Sequence, residues 1–227
     1  MDAPPLNYLE VGASRQDAGL CVILMHGLGA DGHDFADVAD ALSQAALPKK
    51  WRFVLPHAPA QPVTINNGST MPAWYDILDL DHPRLVDWDT VATAQASIES
   101  LLGNEPANTT VIAGFSQGAA MALHVGLRHQ DRIAGVLMMS GYLLESAQHP
   151  APEPAPGTDL PIAIFHGSGD PVVPLSAGQQ AAETLTSKGF SPQLKAYPGL
   201  QHSVSDAEIR DVFDWLTTLH AAASPGG

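Results

Sequence analysis

A serine stands between two glycines in Gly114-Phe115-Ser116-Gln117-Gly118, just after an apolar run and just before a helical pattern. A serine that attacks a carbonyl must project from a strained strand-to-helix turn, where side chains two positions away on either side would collide with neighbouring backbone. Its hydroxyl is too weakly acidic to attack at neutral pH without a general base, normally histidine. In the chain order serine, acid, histidine, only His202 and His220 follow a suitable acid. His202 lies in the turn PGLQHS (residues 198–203), between a strand-like run and the last helical pattern. His220 falls near the end of that helical pattern, where it can meet the helix dipole, and its reading is structural. Asp170 follows the apolar run 162–165 through His166-Gly167-Ser168-Gly169, where an acid can hold an imidazole in the tautomer that takes the serine proton. Asp159 precedes that run and belongs to the wrong edge. Ser116, Asp170 and His202 are the predicted nucleophile, acid and base. A histidine base predicts activity that rises with pH near ~6 to 7.

An oxyanion formed at such a serine needs at least two donors. The backbone N–H of Gln117, directly after the serine, is one. The other should come from the loop after an earlier central strand, and in His26-Gly27-Leu28-Gly29-Ala30-Asp31-Gly32 the N–H of Leu28 fits. The same loop spells G-x-G-x-x-G at Gly27, Gly29 and Gly32, the dinucleotide-binding fingerprint, which makes a nucleotide-dependent oxidoreductase the rival reading. That fingerprint wants an acid at the end of the next strand for the ribose hydroxyls, and the chain there reads Leu55-Pro56-His57-Ala58-Pro59. A phosphate-binding loop fails too, since His33 and Asp34 replace its Lys and Ser/Thr. His26, Asp31, His33 and Asp34 cluster in sequence but lack the H-E-x-x-H spacing, so no metal and no cofactor is expected.

The elements that must position these residues alternate. Runs 21–25, 110–113, 135–139 and 162–165 are apolar without clean alternation, as strands buried on both faces are. Residues 52–55 and 193–197 are weaker members, the second suited to a sheet edge. Helical periodicity covers 35–47, the series Val91, Ala94, Ile98, Leu101, the stretch 117–129, and Ile209, Val212, Phe213, Leu216. This order predicts a single α/β domain over residues 1–227 with a mostly parallel, doubly wound sheet and a loose C-terminal tail at 221–227. Residues 61–84 form a long connection carrying Trp74 and Tyr75, a candidate binding wall. Residues 148–158 (QHPAPEPAPGT) read as a stiff extended surface loop, a spacer and not a domain boundary.

Composition narrows the function classes. Of 227 residues, 45% are hydrophobic and 15% charged, enough for an extensive core and against disorder. Ten Lys and Arg face 24 Asp and Glu, a net charge of −14 that disfavours nucleic acid and anionic membrane surfaces. Cys21, the single cysteine, permits no internal disulfide and reads as a core residue. No run approaches the ~18 apolar residues of a membrane span, and residues 1–14 show neither a basic region nor an apolar stretch of signal-peptide length. A cytoplasmic location is the expectation.

The segments HGLGADG (26–32), LPHAP (55–59), PVTINNG (62–68), MPAWYDI (71–77), GFSQGAAMAL (114–123), HGSGDPVVP (166–174) and GLQHSV (199–204) resemble the phospholipase/carboxylesterase branch of the α/β-hydrolases, to which acyl-protein thioesterases belong. The resemblance spans almost the whole chain. It implies an α/β-hydrolase fold without a large lid, Ser116, Asp170 and His202 as the triad, Leu28 and Gln117 as oxyanion donors, and an acyl groove lined by Trp74 and the Val172 region. It also implies a homodimer, which no sequence feature identifies. Pro72 stands where the family often has a basic residue, and the 148–158 loop has no alignable counterpart. The bacterial members it most resembles are broad carboxylesterases, so the expected activity is hydrolysis of short to medium acyl esters through an acyl-enzyme. Acyl-protein thioesterase or lysophospholipase activity with the same triad is the alternative.

Overall fold

The computed structural model describes residues 5–44, 50–80 and 84–223. Seven strands form one sheet: β1 (Tyr8–Gly12), β2 (Leu20–Met25), β3 (Trp51–Pro56), β6 (Thr110–Phe115), β7 (Gly135–Met139), β8 (Ile162–Gly167) and β9 (Gln193–Tyr197). Their spatial order is β1-β3-β2-β6-β7-β8-β9, and every neighbouring pair is parallel except β1 with β3. β4 (Ala60–Val63) and β5 (Ser69–Pro72) make a separate antiparallel ribbon.

Alternating strand residues feed two cores because successive side chains of a strand point to opposite faces. Val22, Leu24, Val111, Ala113, Leu137 and Met139 pack with Ala39 and Leu42 of α1 (Ala36–Ser43) and with Val212, Trp215 and Leu216 of α5 (Asp206–Ala223). Ile23, Met25, Ile112, Val136 and Met138 pack on the other face. There they meet α2 (Trp88–Gly103), α3 (Gln117–Gly126) and α4 (Leu175–Lys188). All six residues of β2, β3 and β8 and all five of β7 are buried, which is why their sequences run apolar without alternation. β9 closes one edge, as its mixed sequence suggests.

Several expectations change. β1 has no apolar run because one side of this edge strand faces solvent. α4 escapes hydrophobic periodicity because its buried stripe is Ala177, Gly178, Ala181 and Leu185, mostly small residues that let the helix lie close to the sheet. The 61–84 connection is not structureless: the β4–β5 ribbon occupies its first part, and residues 81–83 lie outside those described. The helix expected over 35–47 begins as a 3₁₀ turn at Gly32–Phe35 and its α portion ends at Ser43; residues 45–49 are not described. α5 reaches Ala223, so residues 221–223 are helical where a loose tail was expected, and 224–227 lie outside the described chain. Among the described residues no helix is long and apolar enough to cross a membrane.

Candidate active site

In an open parallel sheet, ligands sit beyond the carboxyl ends of the strands, where strand order reverses. Here the reversal lies between β2 and β6. The loop 26–32 leaves one of these strands, and Ser116 directly follows the other. Ser116 adopts φ 53° and ψ −117°, a strained conformation for a residue with a side chain, and it opens α3. The flanking glycines have separate steric reasons. A Cβ on Gly114 would lie 2.3 Å from the Gly118 carbonyl, and one on Gly118 would lie 2.4 Å from Met25 O and 2.5 Å from His26 O. The first glycine lets the helix fold back over β6; the second lets it approach the end of β2.

Asp170 follows β8 and His202 follows β9. The buried Asp170 carboxylate accepts His202 Nδ1–H through Oδ2 at 2.6 Å, and through Oδ1 it accepts the N–H groups of Val172 and Val173 at 2.8 and 2.9 Å. A carboxylate only accepts, so His202 carries its proton on Nδ1 and its Nε2 accepts the Ser116 hydroxyl at 2.9 Å. The Phe115 ring lies 4.8 Å from the imidazole and walls its side. The three predicted residues, 32 and 86 positions apart along the chain, are thus joined by two consecutive hydrogen bonds.

Ser116 and His202 open into a cavity of about 350 Å³ whose lining includes Leu28, Gln117, Val172, Ile77 and Tyr142. Leu28, Gln117 and Val172 thus line the same cavity as Ser116 and His202. Gly27, at the start of the Leu28 loop, lies beside Ser116: a Cβ there would sit in van der Waals contact with Ser116 Cβ at 3.4 Å. Trp74 is the exception. Its indole Nε1–H donates to His26 O at 2.9 Å, and this bond turns the ring into the core, where it is 1% exposed. It faces a different cavity, lined by Leu6, His57 and Thr93, and does not wall the one at Ser116. The sequence places a large aromatic in the right connection; the bond to His26 O decides its direction.

Three residues hold the site through contacts that their motifs did not indicate. Gln117 uses its side chain as well as its backbone: Oε1 accepts Trp74 N–H at 2.9 Å and Nε2 donates to Tyr75 O at 2.8 Å, tying the elbow to the 73–75 segment. Buried His26 donates from Nδ1 to Gly27 O at 2.8 Å and accepts Ala58 N–H on Nε2 at 3.0 Å, which fixes the start of the 26–32 loop. Burial lowers its pKa, in keeping with this neutral tautomer. His166, fully buried, donates from Nε2 to Val173 O at 2.8 Å and so braces the turn whose N–H groups hold Asp170. Burial lowers its pKa as well. The only sequence signal for the two histidines is their place just past a strand or at its end, shared with every loop polar residue there.

The G-x-G-x-x-G loop serves another purpose than cradling phosphate. Where a ribose-binding acid would stand, His57 Nδ1 accepts Gly32 N–H at 3.1 Å, and Gly29 N–H is taken by Pro72 O at 2.8 Å. Asp31, His33 and His57 bring ligand-type atoms within 4.8 Å of one another, the one such group among the described residues. Asp31 Oδ1 already accepts both the backbone N–H and Nδ1 of His33, which lowers the Asp31 pKa.

The comparisons with known proteins agree with this geometry. Residues 6–220 match the family model described as Phospholipase/Carboxylesterase. The chain is 36% identical over 226 residues to acyl-protein thioesterase 1 of Neurospora crassa, covering 94% of this chain and 91% of that one. It is 32% identical over 221 residues to acyl-protein thioesterase 1 of Yarrowia lipolytica, covering 94% and 97%. The crystal structure of acyl-protein thioesterase 2 from Zea mays superposes with a TM-score of 0.81 at 26% identity, covering 94% of this chain and 99% of that one. A match over nearly the whole chain, on a sheet whose reversal point carries a serine elbow, places this serine hydrolase in the phospholipase/carboxylesterase family of the α/β-hydrolases.

Proposed function

We propose that the protein hydrolyses acyl thioesters through an acyl-enzyme on Ser116, with oxygen esters as further substrates of the same site. Ser116 Oγ attacks the acyl carbon while His202 Nε2 takes its proton. Asp170 orients His202 and stabilises the imidazolium, and the N–H groups of Leu28 and Gln117 receive the oxyanion. Collapse of the tetrahedral intermediate expels the thiolate or alcohol, which takes the proton from His202. Water then attacks the acyl-enzyme, giving its proton to His202, and the carboxylic acid leaves as Ser116 is reprotonated.

The observation that carries this reading is the continuous hydrogen-bond chain Ser116–His202–Asp170, open to a cavity. The sequence alone favoured a carboxylesterase. The choice of thioesters over oxygen esters is supported by relatives named acyl-protein thioesterase over more than nine-tenths of their length. The chemistry permits both, since a thiolate with a conjugate-acid pKa near ~8.5 is the easier leaving group.

Ser116→Ala should lower kcat on acyl thioesters and p-nitrophenyl esters by roughly 10⁴- to 10⁶-fold while the protein stays folded. A fluorophosphonate should label the native protein and not this variant. Turnover retained by Ser116→Ala would overturn the assignment. Wild-type activity on oxygen esters with none on thioesters would return the carboxylesterase reading.

A further inference from the structure

Arg84 lines the same cavity as Ser116 and His202. In a chain with only ten Lys and Arg against 24 acids, a guanidinium would be expected to find a carboxylate. Among the described residues it finds none within ion-pair distance. Its Nη2 donates to Val172 O at 2.7 Å, its Cζ stands 5.0 Å over the Tyr142 ring, and its Nε is buried without a hydrogen-bond partner. The carbonyl and the ring fix its position; neither supplies a counter-charge. A cation held partly out of water without one costs free energy that a charged ligand can offset. Much of the surrounding lining is apolar, including Ile65, Ile77, Phe115 and Tyr142, so the local dielectric favours a strong pairing. The other charged lining residue is Asp34, in the 3₁₀ turn after the oxyanion loop. An anion therefore gains only on the Arg84 side.

We infer that Arg84 is a specificity residue that selects substrates bearing a carboxylate or phosphate on the part occupying its side of the cavity. The inference rests on the hydrolase reading of Ser116 and names its substrate class. The anion could be carried by the acyl half, as in a dicarboxylic half-ester, or by the leaving half, as in a phosphorylated alcohol or thiol. Planar guanidinium groups bind either oxyanion with charge-assisted hydrogen bonds.

Two matched pairs of substrates separate these sources: butanoyl against succinyl thioesters of one neutral thiol, and butanoyl esters of glycerol against those of glycerol phosphate. The wild type is expected to show the higher kcat/KM on the anionic member of one pair, and the pair identifies the half that faces Arg84. In Arg84→Gln the anionic-to-neutral ratio for that pair should fall roughly tenfold to a hundredfold, the worth of a charged hydrogen bond. Taking the ratio cancels any general loss from releasing Val172 O. A wild type that prefers the neutral member of both pairs overturns the inference without any variant, and so does a ratio that Arg84→Gln leaves unmoved. If the wild type turns over none of the four substrates and fails to react with a fluorophosphonate, the hydrolase reading itself fails, and the selectivity with it.

Discussion

At the residue scale the chemistry depends on contacts that leave no room for a methyl group. Gly118 illustrates this, because its Cα faces the carbonyls that end β2 and begin the oxyanion loop. Gly118→Ala must push α3 away from Met25 O and His26 O, and Gln117, the first residue of that helix, moves with it. Overpacking of this kind costs about 1–3 kcal/mol, and displacing an oxyanion donor by about 1 Å can cost 10²-fold in rate. The expected result is a lower urea midpoint together with a kcat/KM loss on the order of a hundredfold; wild-type values for both would show that the close approach is not needed. Ser116, Asp170 and His202 were legible because order along the chain, position after a strand and residue type agree. The direction of Trp74 was not, since it turns on one bond to a backbone carbonyl 48 residues away. Cys21 was legible as core: burial pushes its thiol up to about 12, so it stays protonated.

At the scale of elements, what sequence reading finds is what buries large apolar side chains. The parallel strands and α2 announce themselves, whereas α4 hides behind alanines and β1 behind one-sided exposure. The start of α5 holds a further feature. Ser205 Oγ accepts Glu208 N–H at 3.2 Å, one half of a capping box, while the Glu208 carboxyl is fully buried with neither oxygen hydrogen-bonded. Burial raises its pKa to about 7, with the nearby Asp211 charge adding to the rise. A carboxyl whose folded pKa exceeds its unfolded value of ~4.3 contributes stability that is complete below that value and is lost as pH rises through 7. Glu208→Gln removes this dependence. Relative to wild type it should gain on the order of 3 kcal/mol between pH 4 and pH 8, read as a Tm difference that grows with pH. A difference independent of pH would mean that Glu208 folds as the carboxylate.

At the scale of the whole molecule the sheet has a chemical end and a structural end. Ser116, Asp170, His202 and the oxyanion loop all leave the carboxyl ends of parallel strands. The opposite end is tied by Arg52, near the start of β3, whose Nη1 donates to Glu105 at 2.7 Å and whose Nη2 donates to Glu10 of β1 at 2.6 Å. Arg52 and Glu105 are both buried, so their pair joins β3 to the loop before β6 away from water, whereas Glu10, which ties in the edge strand, is half exposed. In sequence Arg52 stands two residues after Lys50 and opens the weak strand run 52–55, and only the fold reveals that it is turned inward. Removing one partner of a buried pair leaves the other charge uncompensated, at about 3–5 kcal/mol, whereas replacing both can be nearly neutral. Arg15 Nε also stands 3.9 Å from Glu105 but is half exposed, so Arg52→Met should lower stability by up to that amount in urea titration, and adding Glu105→Gln should restore much of it. Because the pair sits at the end of the sheet away from Ser116, kcat/KM of the folded variants should stay within about twofold of wild type, as expected for independent distant sites. A large loss of turnover in a variant still folded would mean that strain at the structural end reaches the elbow through β3 and β2.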